Sequence, residues 1–131
     1  MKEISILVED KPGILAEICA LMAKHNINIE NMGAEAVGGT GIIVMSVDKY
    51  DEALRVLRGE SYNAVTEESL LIKLEDKPGA LARIAQRFKD ADINIRGIHI
   101  VRRDGGYSLA AISTERTREA MELVKDVLVR R

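Results

Sequence analysis

Glu-Asp-Lys-Pro-Gly, at residues 9–13, recurs unchanged at residues 75–79, which is 66 positions further along a chain of 131 residues. At the same offset the tripeptide Ile-Asn-Ile at residues 27–29 recurs at residues 93–95. Matches that keep one offset over this length are the signature of a repeated structural unit. The chain is therefore predicted to contain two copies of one small unit, laid end to end.

Each copy opens with a strand and continues as a helix. In the first copy Ile4, Ile6 and Val8 alternate with other residues, which is typical of a strand with one strongly apolar face. The Pro-Gly pair that follows is expected to open a helix, because proline is tolerated in the first helical turn. Asn26 and Asp92 mark the predicted helix ends. In each helix the residues at i, i+3 and i+7 form a stripe predicted to be buried: Leu15, Ile18 and Met22 in the first copy, and Leu81, Ile84 and Phe88 in the second.

A hairpin, a second helix and a last strand complete the pattern. Glycine-containing reversals at residues 38–41 and 104–106 predict the hairpins, and Gly59 is placed to stop the second helix of the first copy. In the first copy the predicted strands are 27–36, 42–47 and 62–68, and the predicted second helix is 51–58. In the second copy the predicted strands are 93–101 and 107–112, and the predicted second helix is 117–128.

The order β-α-β-β-α-β predicts an α+β fold made of two ferredoxin-like units. Each unit is expected to have an antiparallel sheet with both helices on one face and the other face open. The predicted domains are residues 1–68 and 69–131. Because the second copy ends near the counterpart of Val65, it is expected to lack most of its last strand, with residues 127–131 as a stub. An unpaired strand edge of this kind predicts a homodimer.

Composition restricts the class of protein. Hydrophobic residues make up 47% of the chain and charged residues 31%, which is typical of a folded domain. The net charge of -2 and the aromatic content of 3% argue against nucleic-acid binding. Cys19, the single cysteine, is predicted to be buried in a helix. No apolar run is long enough to span a membrane and the first residues lack an apolar signal core, so a cytoplasmic protein without membrane contact is expected.

The residues that open each copy resemble those of ACT domains. The pattern is a strand, then Asp-Lys-Pro-Gly-(Ile/Ala)-Leu-Ala, a helix, and Ile-Asn-Ile at the next strand, and the likeness covers nearly all of both copies. This resemblance implies a non-catalytic module that binds amino acids or related small molecules and regulates an enzyme, transport or transcription. It also implies side-by-side pairing through the second strand, with ligand held between that strand and the loop after the first strand of the neighbouring unit.

The candidate ligand-binding residues lie in this loop and at the start of the second strand. A glycine at a helix start lets a ligand approach the backbone, and the free amides there suit a carboxylate. The loop aspartate could take an ammonium group or hydrogen-bond loop amides, and the asparagine could bind ligand or a neighbouring backbone. The set is Asp10, Lys11, Pro12, Gly13, Ile14, Leu15 and Asn28 in the first copy, and Asp76, Lys77, Pro78, Gly79, Ala80, Leu81 and Asn94 in the second.

Several of these residues also have purely structural readings. The prolines and glycines could serve only helix initiation and the tight turn, and the loop lysines are expected to be solvated. His25 and His99 belong to no repeated metal-binding pattern, so no metal or cofactor is expected. The glycines at residues 38–41 lack the Lys-Ser/Thr pair of a phosphate loop and are expected to form a hairpin turn.

The function expected from these observations is that of an amino-acid-binding regulatory protein without catalytic activity. The chain contains no enzyme domain of its own, so a separate metabolic enzyme or regulator is the expected target. The alternative is a structural or oligomerisation module with empty sites that partners a metabolic enzyme. The two sites are not expected to be equivalent, since Ala80 replaces Ile14 and Arg96 replaces Glu30.

Overall fold

The computed structural model describes residues 2–66 and 69–130. The chain falls into two compact units, residues 1–67 and 68–131. The first unit contains β1 (Ile4–Glu9), α1 (Ile14–Lys24), β2 (Ile29–Val37), β3 (Thr40–Val47), α2 (Tyr50–Gly59) and β4 (Asn63–Val65). The second contains β5 (Leu70–Glu75), α3 (Ala80–Asp90), β6 (Ile95–Asp104), β7 (Tyr107–Thr114), α4 (Thr117–Leu123) and β8 (Leu128–Arg130).

Each unit has one four-stranded antiparallel sheet. The strand order is β2-β3-β1-β4 in the first unit and β6-β7-β5-β8 in the second. This topology confirms the predicted α+β class with two ferredoxin-like units. Residues 67 and 68, at the end of the predicted fourth strand and beside the predicted domain boundary, lie outside the described residues.

The expectation that the second unit lacks most of its last strand is wrong. β8 has three residues, as β4 does, and it pairs antiparallel with β5. The helix before it is shorter than predicted: α4 ends at Leu123, and the Val127 N–H turns back to the Val124 carbonyl over 2.9 Å. The chain leaves the helix early enough to complete the sheet.

The Pro-Gly pair forms a turn before the helix, not the first helical turn that was expected. Gly13 has φ 89° and ψ -10°, and Gly79 has φ 88° and ψ -15°. These angles are those of the third residue of a type II turn, where glycine is favoured and proline commonly precedes it. The turn's hydrogen bond runs from the Ile14 N–H to the Lys11 carbonyl at 3.5 Å, and its counterpart in the second unit measures 3.3 Å. The helices begin immediately afterwards.

The helix ends follow the prediction closely. Asn26 and Asp92 both have φ 56°, two residues beyond the last helical residue. Asparagine and aspartate tolerate this left-handed conformation better than most residues. The Ile27 N–H then reaches back to the Met22 carbonyl over 2.9 Å, which satisfies a carbonyl at the end of the helix.

The helices of each unit pack on one face of its sheet. In the first unit Ile18 and Met22 are fully buried against the sheet, and in the second Ile84 and Phe88 are buried in the same way. Burying a side chain of this size stabilises the fold by about 1.5–3 kcal/mol. The first position of the predicted stripe behaves differently, since Leu15 is 41% exposed.

The opposite face of the central strands is buried as well, although it was expected to be open. Leu7 and Ile42, which pair across β1 and β3, are 3% and 0% exposed. Leu109 on β7 is also fully buried. These strands carry apolar residues at successive positions, a pattern typical of strands buried on both faces.

Cys19 is exposed, contrary to the prediction that it is buried. It lies next to the buried Ile18, on the outer side of α1, where its thiol is 4.0 Å from the Met32 sulfur. None of the helices in the described part of the chain is long and apolar enough to cross a membrane.

The β6–β7 hairpin of the second unit is one residue longer than the β2–β3 hairpin of the first. β1 and β5 lie 66 positions apart, whereas β3 and β7, counted from Thr40 and Tyr107, lie 67 apart. The additional residue is accommodated in β6, whose pairing with β7 shifts register between Ile100 and Arg102. A β-bulge of this kind inserts one residue into a strand without ending its pairing.

Candidate ligand-binding site in the β1–α1 loop

A cavity of about 240 Å³ lies beside the β1–α1 loop of the first unit. All six loop residues predicted for this site in the first copy line it, namely Asp10, Lys11, Pro12, Gly13, Ile14 and Leu15. The structure therefore brings together the part of the predicted site that is contiguous in the sequence.

Residues from the rest of the sheet complete the cavity. Val8 at the end of β1, Ala34 and Glu35 on β2, and residues 41–43 on β3 also line it. Sequence reasoning assigned Gly41 only to the hairpin turn, and from the second strand it named Asn28 but neither Ala34 nor Glu35. The signal for these residues lies in strand pairing, because Ala34 is opposite Ile43 and Val8 is opposite Gly41.

Gly41 leaves room for this cavity. A Cβ placed on it would lie 3.2 Å from the Val8 Cγ2 and 3.6 Å from the Asp10 Cα. A Cβ here would therefore press on the Val8 side chain and make ordinary contact with Asp10 of the loop. By contrast, a Cβ placed on Gly13 would have no neighbour within 4 Å, so space is open around the turn itself.

The start of α1 offers backbone amides to this cavity. Gly13 occupies the N-cap position, and no side chain caps the helix there. The first hydrogen bond of the helix is the one from the Glu17 N–H to the Gly13 carbonyl, at 3.0 Å. The amides of the first helical turn, with the positive end of the helix dipole, favour an anionic group.

The predicted asparagines lie elsewhere. Asn28 is not a lining residue of the loop cavity; it borders a separate polar hollow, and its N–H donates to the Asp48 Oδ1 over 2.9 Å. In the second unit the Asn94 carbonyl accepts a hydrogen bond of 2.9 Å from the Thr114 Oγ1. Within each unit these contacts join the start of one hairpin strand to the end of the other.

The loop of the second unit has the same backbone but different charge contacts. Lys77 forms an ion pair with Glu75 at 2.6 Å, and this hydrogen-bonded ammonium group holds the pKa of the Glu75 carboxyl below its ordinary value. The Arg103 Nε donates to the Asp76 Oδ1 at 3.3 Å. Both charged groups of the predicted second site, Asp76 and Lys77, are thus engaged by side chains of their own unit.

The corresponding groups of the first loop are not engaged in this way. Within residues 2–66 and 69–130, neither the Asp10 carboxylate nor the Lys11 ammonium group has a hydrogen bond or ion pair to another side chain. Both residues are exposed at the cavity. The described residues also contain no group of three or more His, Cys, Asp or Glu side chains arranged to hold a metal ion.

A small α+β unit with an open loop cavity beside a helix start has the architecture of a ligand-binding domain. Residues 4–58 match the family described as the AHAS small subunit-like ACT domain, and residues 69–128 match the ACT domain. Together the two matches span nearly all of the chain. The chain belongs to the ACT domain family, as expected from the sequence.

The relatives of the chain include small subunits of an enzyme. An acetolactate synthase small subunit from Mycobacterium leprae is 26% identical over 92% of this chain and 75% of its own length. One from Mycobacterium bovis is 28% identical over 63% of this chain and 59% of its own length. The chain thus spans between about three fifths and three quarters of these two relatives.

A solved structure supports the fold. The crystal structure of a protein from Bacteroides thetaiotaomicron is 23% identical in sequence, with a TM-score of 0.50. The match covers 98% of this chain and 90% of that one.

Proposed function

We propose that this protein binds an amino acid with a small apolar side chain in the β1–α1 loop of its first unit and thereby regulates a separate catalytic subunit. The observation that carries the proposal is the cavity beside this loop, where Asp10 and Lys11 present opposite charges with no side-chain partner among the described residues. The proposal concerns binding and regulation, and it includes no chemical step.

The charged groups match the two ends of a free amino acid. In this proposal the Asp10 carboxylate accepts hydrogen bonds from the ammonium group, while Lys11 and the amides at the start of α1 bind the carboxylate. Charge-assisted hydrogen bonds of this kind are roughly twice as strong as neutral ones. Apart from Glu35, the other lining residues are apolar or glycine, which favours an apolar ligand side chain.

The size of the cavity supports a small ligand. Its volume of about 240 Å³ lies below the range of roughly 300–1,000 Å³ that is typical of pockets for drug-sized molecules. Ala34 and Gly41 are the smallest lining residues on the sheet. A bulky aromatic side chain would fit less well than a short aliphatic one.

The proposed target is a catalytic subunit of the acetolactate synthase class. The support for it is the likeness to two small subunits of that enzyme and the match of the first unit to the AHAS small subunit-like ACT domain. The test is the activity of a purified acetolactate synthase catalytic subunit from the same source, with and without this chain. Activity that does not respond to the chain, with or without amino acids, would exclude this target.

Homodimerisation and a cytoplasmic location complete the proposal. Support for the dimer comes from the outer side of α1, where Ala16, Cys19, Ala20 and Ala23 are exposed beside the half-exposed Leu15. An exposed cluster of apolar residues is typical of a surface that contacts another protein. Sedimentation at micromolar concentration should give a dimer, and Ala20→Glu should weaken it more than the control Gln86→Glu on α3. A wild-type monomer would exclude the dimer.

The binding proposal is tested by equilibrium dialysis against the twenty amino acids. One or a few small apolar amino acids should bind, and Asp10→Asn should weaken their binding by about tenfold or more, because it removes one charged hydrogen-bond partner. Asp51→Asn, an exposed acidic position on α2, is the control and should leave the affinity unchanged. If no amino acid binds, the protein is instead a structural module with an empty site.

A further inference from the structure

We infer that ligand binds only in the first unit, because the second unit engages the charged groups of its own loop with Arg103 and Glu75. This inference rests on the proposed function, and it assigns the site and the residues that decide which loop is open. The motif itself does not distinguish the loops, since residues 9–13 and 75–79 are identical.

Strand pairing identifies the positions to compare. In the first unit the helix-side residues of β2 and β3 that face each other are Ala34 with Ile43, and Ala36 with Gly41. The pairs at the same places in the second unit are Ile100 with Ala110, and Arg103 with Ser108. The assignment follows from β1 and β5, because Val8 is opposite Gly41 and its counterpart Leu74 is opposite Ser108.

The exchanges beside the second loop do not all act in one direction. Ile100 replaces an alanine that lines the first cavity and packs partly buried against the core of its unit, whereas Ala110 and Ala80 replace Ile43 and Ile14, which also line that cavity. Ser108, which is 5% exposed, replaces the glycine whose Cβ would lie 3.2 Å from the Val8 Cγ2. In place of Val8 the second unit has Leu74, which is larger by one methylene and is also buried.

The charges of the second loop are satisfied within the unit. Arg103 is at the position that Ala36 has in the first unit, and its Nε forms an ion pair with the Asp76 Oδ1 at 3.3 Å. The Glu75 carboxylate forms an ion pair with the Lys77 ammonium group at 2.6 Å. A zwitterionic ligand in the second loop would have to displace a cation from Asp76 and an anion from Lys77, whereas in the first loop it would displace only solvent.

Transfer of the arginine to the first unit tests this inference. Isothermal titration with L-alanine, L-valine and L-leucine should give one site per chain for those that bind. Ala36→Arg should weaken binding about tenfold or more, because the new guanidinium reaches Asp10 as Arg103 reaches Asp76. Ala36→Gln, of similar bulk but uncharged, should weaken it less.

Paired asparagine variants complete the test. Asp10→Asn should lose affinity, whereas Asp76→Asn should change it less than about twofold, within the scatter of measurements for surface changes. Circular dichroism of each variant shows whether the fold is kept. Two sites per chain, or an equal loss in Asp76→Asn, would overturn the inference while leaving the proposed function intact. A wild-type protein that binds none of the twenty amino acids would overturn both, and this result is visible before any variant is made.

Discussion

Replacing Gly13 by alanine should destabilise the fold although there is room for the new methyl group. A Cβ at this position meets no atom within 4 Å, so the effect of the change does not come from a clash. It comes from φ 89°, a left-handed conformation that costs a residue with a Cβ roughly 1–2 kcal/mol. The expected loss in the free energy of unfolding is therefore about 1–2 kcal/mol. Gly79→Ala, at φ 88°, should give a similar loss.

Gly59 provides a matched control in the same unit. A Cβ there also has no neighbour within 4 Å, but Gly59 is the last residue of α2 and is not among the residues with positive φ. The helix ends instead through Ser61, which takes φ 66°. In the middle of a helix alanine is more stabilising than glycine by roughly 0.5–1 kcal/mol. Because Gly59 is at the end of its helix, Gly59→Ala should be neutral or stabilising by up to about 0.5 kcal/mol.

The assay is urea unfolding monitored by circular dichroism. The free energies of unfolding are compared between variants whose dependence on urea concentration has the same slope. The two substitutions are chemically identical, and the structure predicts a loss of stability at Gly13 and no loss at Gly59. Equal effects at Gly13 and Gly59 would refute the argument from backbone conformation. The same argument makes Gly13→Val a poor probe of ligand binding, because valine would disturb the turn and the site together.

The other predictions address the core, the thiol and one ion pair. Ile18→Ala should cost about 2–5 kcal/mol of unfolding free energy because the side chain is fully buried, and Leu15→Ala, at 41% exposure, should cost less than about 1.5 kcal/mol; urea unfolding checks the difference, and equal costs would contradict it. At concentrations too low for the proposed dimer, Cys19 should react with a thiol reagent at a rate close to that of the unfolded chain, and strong protection there would contradict its exposure; protection that appears only as the dimer forms would support the α1 surface as its interface. Arg87 donates two hydrogen bonds to Asp126, at 2.7 and 3.0 Å, and lowers the pKa of that carboxyl below its ordinary value; the stabilisation is therefore present above the ordinary pKa and is lost as pH falls through the lowered pKa. The thermal unfolding midpoint of Asp126→Asn should lie below that of the wild type near neutral pH, and the gap should close below about pH 4, whereas a gap independent of pH would be the contrary result.

The elements that could be predicted from the sequence are those specified by neighbouring residues. The alternation of Ile4, Ile6 and Val8 specifies β1, and Asn26 marks the left-handed residue after α1, because each of these signals acts over a few positions. The repeat then doubles every signal, so weak features of one copy are supported by the other. The fold class followed from these local signals and their order.

The outer side of α1 could not be assigned from periodicity. Its sequence, ILAEICALMAK, carries apolar residues all around the helix, so the stripe beginning at Leu15 was no better marked than its neighbours. In α3 the exposed positions hold Arg83, Gln86 and Lys89, which identify the outer face directly. Periodicity identifies a buried face only when the opposite face is polar. Leu15 and Cys19 were misplaced for this reason.

The difference between the two loops depends on the register in which β6 pairs with β7. The sequence repeat does not predict this register. At the fixed offset of 66, Ala36 would correspond to Arg102 and Gly41 to Tyr107. The additional residue in β6 moves the pairing, so that Arg103 and Ser108 take those places beside the loop.

Because successive residues of a strand point to opposite faces, a shift of one position decides which side chain reaches the loop. Arg102 pairs with Leu109 on the other face, whereas Arg103 reaches Asp76. An identical loop motif thus has different surroundings in the two units, and the register of the sheet around it accounts for the difference.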